Sequence, residues 1–263
     1  TGNYTQIAFN ATDRKQLSYG LELGTNIGER LDFFEPRTEG RFWKRNGQFS
    51  TEAFFSSDFR KRFAFEVGLD YRSRYGTDEY SYELGVGPRF RVNDKLEFAY
   101  GFVVDQSFNQ PGYVDTLDDE TIIFGVRQNN QIENSFSSKY SFNDKSSISM
   151  SFRHYWSTVA YQDQYYELQD DGYLTPHPYE DNNDLNFNSW NLDLRYVWQF
   201  TRGSELVALY RNSIQSGDDR SYLSFGENLA DLLEQPNGHL LSIKVIYFLD
   251  YNNVKRWVKK GDS

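Results

Sequence analysis

Apolar and polar residues alternate with a period of two along almost the whole chain. In the segment 80–92, Tyr82 and Leu84 alternate with Glu83 and Gly85, and the pattern restarts after a four-residue turn. Successive side chains of a strand point to opposite faces, so each such segment predicts a strand with one apolar and one polar face. A long series of these segments without intervening helices predicts an all-β, antiparallel barrel.

The alternation predicts about eleven strands, with short turns and longer loops as the connections between them. The predicted strands are 3–12, 16–28, 41–57, 62–75, 78–92, 95–115, 121–143, 146–162, 184–201, 204–216 and 238–251. The longer loops fall near 28–40, 162–183 and 216–238. Short turns at one rim and long loops at the other are typical of a transmembrane β-barrel of the outer membrane, with periplasmic turns and extracellular loops.

Each face of the predicted strands has its own set of residues. The charges predicted to face the lumen are Glu22, Glu52, Glu66, Asp70, Arg72, Glu83, Arg89, Arg91, Glu97, Asp105, Arg153, Asp193 and Arg195. The residues predicted to face lipid are Phe63, Phe65, Leu69, Tyr82, Leu84, Phe98, Phe102, Trp190, Leu192, Tyr196, Trp198, Val245 and Tyr247. The charges could line a pore or pair with one another across strands, and their mixed signs favour pairing over strong ion selectivity.

Composition favours the membrane interpretation despite a mean hydropathy of −0.75. The chain has no run of roughly 18 apolar residues, which excludes a transmembrane helix, but a barrel exposes only alternate residues to lipid. The 263 residues include 22 Phe, 20 Tyr and 5 Trp against 1 Met. A soluble core normally uses more Leu, Ile and Val, whereas aromatic girdles are typical of outer-membrane barrels.

Charge and cysteine content narrow the possible partners. The net charge of −10 argues against nucleic acid, because no basic face could neutralise phosphates. The absence of cysteine gives no support for disulfides or a thiolate metal site. We expect no cofactor. An exported protein needs a signal peptide, which we expect to precede Thr1.

The odd strand count suggests an incomplete barrel. Single-chain bacterial barrels have even strand numbers and normally begin and end in the periplasm. We therefore predict that residues 1–252 are the C-terminal portion of a larger even-stranded barrel, followed by a short periplasmic basic tail at 253–263. A miscount at the tall hairpin 95–143 is the competing explanation.

Four segments carry a resemblance to a known family. They are Ser221–Leu233 with His239–Phe248, Asn186–Trp198, Tyr113–Gly125 and Ser56–Lys61. These segments resemble an uncharacterised Bacteroidota family of outer-membrane proteins. Its members join an N-terminal domain similar to family-nine carbohydrate-binding modules to a C-terminal barrel. The resemblance implies a missing N-terminal part of this protein, and it implies no catalytic residues.

Four further features carry weaker predictions. Asp170, Asp171, Asp181 and Asp184 form an acidic loop that could hold Ca²⁺, although an ordinary solvated loop is the simpler interpretation. Thr116 lies in an Asp-Thr-Leu triplet of the form used for O-glycosylation in Bacteroidota. The three histidines, at 154, 177 and 239, lie on different elements and show no hydrolase motif. The segment Glu227–Glu234 is consistent with a short helix that packs against the rim through Leu229, Leu232 and Leu233 on one face.

The sequence therefore predicts a platform or pore in the cell outer membrane, within an envelope complex, and no enzyme. Alternatives are a surface module that binds glycans or proteins through its extracellular loops, and a lipid hydrolase. Expected partners are outer-membrane lipids and lipopolysaccharide, the barrel-insertion machinery, the missing N-terminal part and other envelope proteins.

The membrane interpretation predicts that the protein leaves membranes only in detergent and that heating changes its gel mobility. A soluble ligand-binding barrel, with Tyr82, Leu84, Phe98 and Phe102 pointing inward, predicts release without detergent and unchanged mobility. Membrane fractionation followed by gel electrophoresis with and without boiling separates the two.

Overall fold

The computed structural model describes residues 3–249, which fold as an antiparallel meander with one helix. The strands are β1 (Asn3–Thr12), β2 (Ser18–Ile27), β3 (Arg30–Asp32), β4 (Trp43–Arg45), β5 (Gln48–Ser56), β6 (Phe63–Arg74), β7 (Tyr80–Asn93), β8 (Leu96–Thr116), β9 (Ile122–Asn143), β10 (Ser146–Leu168), β11 (Leu174–Pro176), β12 (Leu185–Thr201), β13 (Ser204–Asp218) and β14 (Asn237–Ile246). The helix α1 (Phe225–Glu234) lies between β13 and β14. The predicted tail at 253–263 lies outside the described residues.

Eleven strands pair in the order β1-β2-β5-β6-β7-β8-β9-β10-β12-β13-β14, which confirms the predicted all-β antiparallel fold. The predicted strand 41–57 is instead split into β4 and β5 around Gly47. A Cβ atom at Gly47 would lie 2.1 Å from the carbonyl oxygen of Asn26, so the backbones approach too closely for another residue. β10 extends six residues beyond its predicted end, because β11 turns back and pairs with its tip.

The sheet does not close within residues 3–249. β1 pairs only with β2, and β14 pairs only with β13. Every described residue of β14 is exposed, and so are nearly all those of β1. The two edge strands therefore carry unpaired backbone groups and uncovered side chains.

The strand register gives the sheet two faces that stay consistent across all eleven strands. Cross-strand partners project from the same face. Leu84 pairs with Leu69 and Val104, whereas Glu83 pairs with Asp70. We name the side of Leu84 the apolar face and the side of Glu83 the charged face.

The long loops pack at one end of the sheet, which we name the long-loop end. β3 and β4 form a separate hairpin within the loop 28–47. Trp43 of this hairpin is buried against Phe124 of β9, with ring centroids 5.2 Å apart, and it clusters with Ile122 and Leu168. The tall β8–β9–β10 extension therefore has a small hydrophobic core of its own.

Helix α1 packs on the apolar face above β10 and β12. Phe225 contacts the rings of His154 and Trp156 at 5.7 Å, and Leu232 is fully buried. Ser224 and Glu227 form a capping box, and the hydrogen bond from the Ser224 side chain lowers the pKa of Glu227.

The helix begins two residues before its predicted start. Of its three predicted packing leucines, Leu232 is buried, Leu229 is half-buried and Leu233 is exposed. No helix in residues 3–249 is long and apolar enough to cross a membrane.

Replacing Trp43 by Ala should release the loop 28–47 without unfolding the sheet. Truncating a buried aromatic residue typically costs about 3–5 kcal/mol, and here the loss falls on the loop packing. Limited proteolysis should show faster cleavage within 28–47, while the far-UV circular dichroism stays unchanged. Phe34→Ala in the same loop is the control, because Phe34 is 91% exposed. Equal cleavage of both variants would contradict the role of Trp43.

Candidate functional site

The predicted charged residues all lie on one face of the sheet. The register places Glu22, Glu52, Glu66, Asp70, Arg72, Glu83, Arg89, Arg91, Glu97, Asp105, Arg153, Asp193 and Arg195 on the charged face. It places Phe63, Phe65, Leu69, Tyr82, Leu84, Phe98, Phe102, Trp190, Leu192, Tyr196, Trp198 and Val245 on the apolar face. Tyr247 follows the end of β14, where its ring stacks on Phe200. That the charged face borders a lumen and the apolar face lipid remains a prediction.

Five carboxylates form a continuous row across the charged face. Glu22 pairs with Glu52, Glu52 with Asp70, Asp70 with Glu83, and Glu83 with Asp105, on β2, β5, β6, β7 and β8. Neighbouring strands lie about 4.8 Å apart, so the row spans roughly 19 Å. We name it the acidic row. The sequence alone does not reveal it, because each member comes from a separate strand and depends on the register.

Ion pairs engage about half of the predicted charges. The pairs are Arg72–Asp70 at 3.1 Å, Arg91–Glu97 at 3.3 Å, Arg89–Glu97 at 3.9 Å, Arg153–Glu133 at 2.6 Å and Arg211–Asp193 at 2.6 Å. Their side chains are mostly partly exposed, so each pair contributes at most about 1 kcal/mol.

The remaining charges keep a negative excess on this face. Among residues 3–249, those without an ion pair are Glu22, Glu52, Glu66, Glu83, Asp105 and Arg195. Four of the five members of the acidic row therefore have no ion-pair partner in the part of the chain that the structure describes. The expectation that neighbouring opposite charges pair holds for only part of the set.

A polar latch joins the loop 28–47 to the tall hairpin. Glu35 accepts hydrogen bonds from the backbone N–H of Tyr113 and from Arg127 Nη2, each at 3.0 Å. Arg127 also approaches the Tyr161 hydroxyl at 3.3 Å. These residues lie far apart in the sequence, and no local pattern marks them as partners.

The four candidate calcium ligands have separate partners. Asp170 pairs with Arg41 at 2.8 Å, Asp171 accepts a hydrogen bond from the backbone of Tyr173, and Asp184 accepts one from the backbone of Tyr161. The backbone carbonyl of the fourth, Asp181, accepts a hydrogen bond from Asn183. In the part of the chain that the structure describes, no three His, Asp or Glu side chains converge as metal ligands.

The histidines and Thr116 lie at separate places. His154 is buried beneath α1, and His239 Nδ1 lies 2.8 Å from the Tyr210 hydroxyl on an exposed edge. The backbone N–H of His177, in the loop after β11, donates to a carbonyl of β10. Thr116 is exposed at the end of β8, so the structure leaves it accessible for glycosylation.

A short turn at the opposite end contains one segment of the family resemblance, Ser56–Lys61. Asp58 accepts two hydrogen bonds from the side chain of Arg60, at 2.9 and 3.0 Å. The side-chain hydrogen bond from Arg60 lowers the pKa of Asp58 to about 2. The pair therefore stabilises the turn at pH values above the ordinary pKa of aspartate. This contribution is lost as the pH falls toward 2.

Comparison with protein families decides the affiliation of the chain. The family described as "Domain of unknown function (DUF5916)" matches residues 1–258. The chain belongs to this family. No curated protein matches it.

A solved structure supports the fold of this DUF5916 chain. The crystal structure of the ferric citrate transporter FecA in its unliganded form matches with a TM-score of 0.53 at 12% sequence identity. The match covers 99% of this chain and 44% of FecA, so the chain spans less than half the length of that protein. The similarity shows that the sheet has the fold of an outer-membrane β-barrel, although it stays open within residues 3–249.

Replacing Glu52 by Gln should stabilise the protein. Like charges directly opposite each other on a sheet are destabilising, and Glu52 faces a carboxylate on both sides, so we expect a gain of about 0.2–1 kcal/mol. Urea unfolding in lipid vesicles, followed by tryptophan fluorescence, measures the free energy of unfolding. Glu133→Gln is the matched control and should lose stability slightly, because Glu133 has the partner Arg153. A loss of stability in both variants would show that the acidic row is compensated.

Proposed function

We propose that this chain forms part of an integral outer-membrane β-barrel, with the apolar face against lipid and the charged face around an aqueous interior. The unbroken division of eleven strands into two faces supports this orientation. Within lipid every backbone polar group needs a partner, which an antiparallel barrel provides. The long loops would lie outside the cell and the short turns in the periplasm, as in known outer-membrane barrels.

Closure of the barrel requires strands beyond those of the described sheet. The edge strands β1 and β14 would leave unpaired N–H and C=O groups in the membrane, where each costs several kcal/mol. We infer that an N-terminal part of the same protein supplies the closing strands. The sequence resemblance further suggests a sugar-binding-like domain in that part and a source among the Bacteroidota.

The acidic row carries the proposal that the interior conducts ions. Rings of Asp and Glu are the usual selectivity device of cation channels, and an arc across five strands is part of such a ring. A lumen lined by this row would favour cations over anions. Should the lumen be filled instead, the barrel would serve as a membrane platform within an envelope complex.

The packed loops support the platform role as a second candidate. The loop 28–47 is held by the Trp43 core and by the Glu35–Arg127 latch, at 3.0 Å. A rigid outer surface suits binding of glycans or envelope proteins better than a mobile one, because less entropy is lost on binding. We assign no catalytic role. Lipopolysaccharide and the barrel-insertion machinery are the other expected partners.

Planar-bilayer recordings of the intact protein should show a conductance that prefers cations. Changing Glu52 and Glu83 together to Gln should lower the ratio of cation to anion permeability, because two of the five carboxylates of the row lose their charge. Reversal potentials in a salt gradient measure this ratio.

Asp144→Asn, in a short turn outside the row, is the matched control and should leave the ratio unchanged. Absence of any conductance from protein that still shows heat-modifiable mobility would refute the pore and leave the platform. An unchanged ratio in the double variant would remove the acidic row from the conduction path.

A further inference from the structure

A pair of arginines lies beside the charged face at its long-loop end. Arg45 lies on β4 and Arg74 ends β6. Both donate to the same oxygen, Oε1 of Glu79, at 2.7 Å from Arg45 Nη2 and 2.9 Å from Arg74 Nε. Their side chains are only 16% and 14% exposed, and that of Glu79 is 12% exposed. Two largely desolvated cations therefore share one carboxylate.

The nearby Asp32 gives Arg45 a second and longer ion pair. Its Oδ1 accepts hydrogen bonds from the backbone N–H groups of Phe34 and Glu35, each at 3.0 Å. Its other oxygen lies 3.6 Å from Arg45 Nη1, too far for a strong hydrogen bond. Arg45 Nε is buried and has no hydrogen-bond partner among residues 3–249. Arg45, Arg74 and the neighbouring Arg30 outnumber the carboxylates Glu79 and Asp32, so one positive charge remains in excess at this point.

An apolar cavity of about 250 Å³ lies directly against the arginine pair. It is lined by the cations Arg30, Arg45 and Arg74, by Asp32, and by Leu31, Phe33 and Phe34, which form its apolar wall. The three apolar side chains are 46%, 57% and 91% exposed. Exposed apolar clusters of this kind mark ligand or partner contacts more often than isolated surface residues do.

A second, polar cavity of about 320 Å³ shares Arg45 and Arg74 with the first. Its lining includes Arg72, Ser81 and Ser107, which are neighbours on the charged face two residues along their strands from the acidic row, and also Asp105 of that row. The two cavities therefore meet at the arginine pair, one apolar and one polar. A molecule held there would contact cations, hydrogen-bonding groups and an apolar wall together.

We propose that these cavities form a binding site for a small organic anion with an apolar body, of the aromatic carboxylate class. The carboxylate would accept charge-assisted hydrogen bonds from Arg45 and Arg74, with Arg30 at the rim. The ring would lie against Phe33 and Phe34. A simple inorganic anion would leave the apolar wall unused, and a cation would be repelled. The site stands independently of the proposed conduction, because binding needs no open lumen.

Binding of 1-naphthylacetate to the intact protein in lipid nanodiscs tests the proposal. Its neutral analogue 1-naphthylacetamide retains the ring, and acetate retains the charge. Isothermal titration, with empty nanodiscs subtracted, should show saturable binding of the naphthylacetate. The amide should bind about tenfold more weakly or worse, because a charge-assisted hydrogen bond is lost. Acetate should show no saturable binding.

Two variants at exposed positions probe the two walls without disturbing the buried ion pairs. Arg30→Gln and Phe34→Ser should each weaken naphthylacetate binding by at least about threefold, in line with one lost contact. Arg14→Gln, in a short turn at the opposite end, and Tyr222→Ser, in another loop, are the matched controls and should leave the affinity unchanged. Equal affinity for acid and amide, or affinity unaffected by both site variants, would overturn the proposal.

Discussion

Antiparallel pairing in a fixed register is the constraint on which the rest of this structure depends. Because side chains alternate with a period of two, a slip of one residue would move every charge of a strand to the opposite face. In all eleven strands the positions level with Glu83 lie on the charged face and those level with Leu84 lie on the apolar face. Bulges at 107–110 and 161–165 interrupt the register but do not exchange the faces of the sheet. The two faces and the acidic row follow from that register.

The register also places like charges directly opposite one another on neighbouring strands, which is unfavourable. Opposed carboxylates destabilise a sheet, yet the acidic row aligns five of them while ion pairs occupy neighbouring positions. Proteins retain such unfavourable arrangements chiefly at functional sites. The arginine pair around Glu79 lies nearer the long-loop end, so carboxylates and arginines gather at different levels of the structure.

The long-loop end differs in kind from the rest of the sheet. There β8, β9 and β10, of 21, 22 and 23 residues, are the longest strands of the sheet, and other parts of the chain cover their sides. Trp43 supplies that cover for Phe124, and Phe225 of α1 supplies it for His154 and Trp156. The loops are consequently part of the folded unit, and they bring Arg45 beside Arg74.

Local information was sufficient for the strands, because alternation and turn residues are properties of neighbouring positions. The alternation predicted the ends of β6 and β13 to within two residues, and it assigned Glu52 and Tyr82 to opposite faces. It failed where partners come from separate segments: the break at Gly47, the hairpin of β11, and the meeting of Arg45 with Glu79. The sequence by itself thus determined the strands, their turns and the two faces. Only the tertiary structure decided which charges stand side by side, because that depends on the register between strands and on how the loops pack over them.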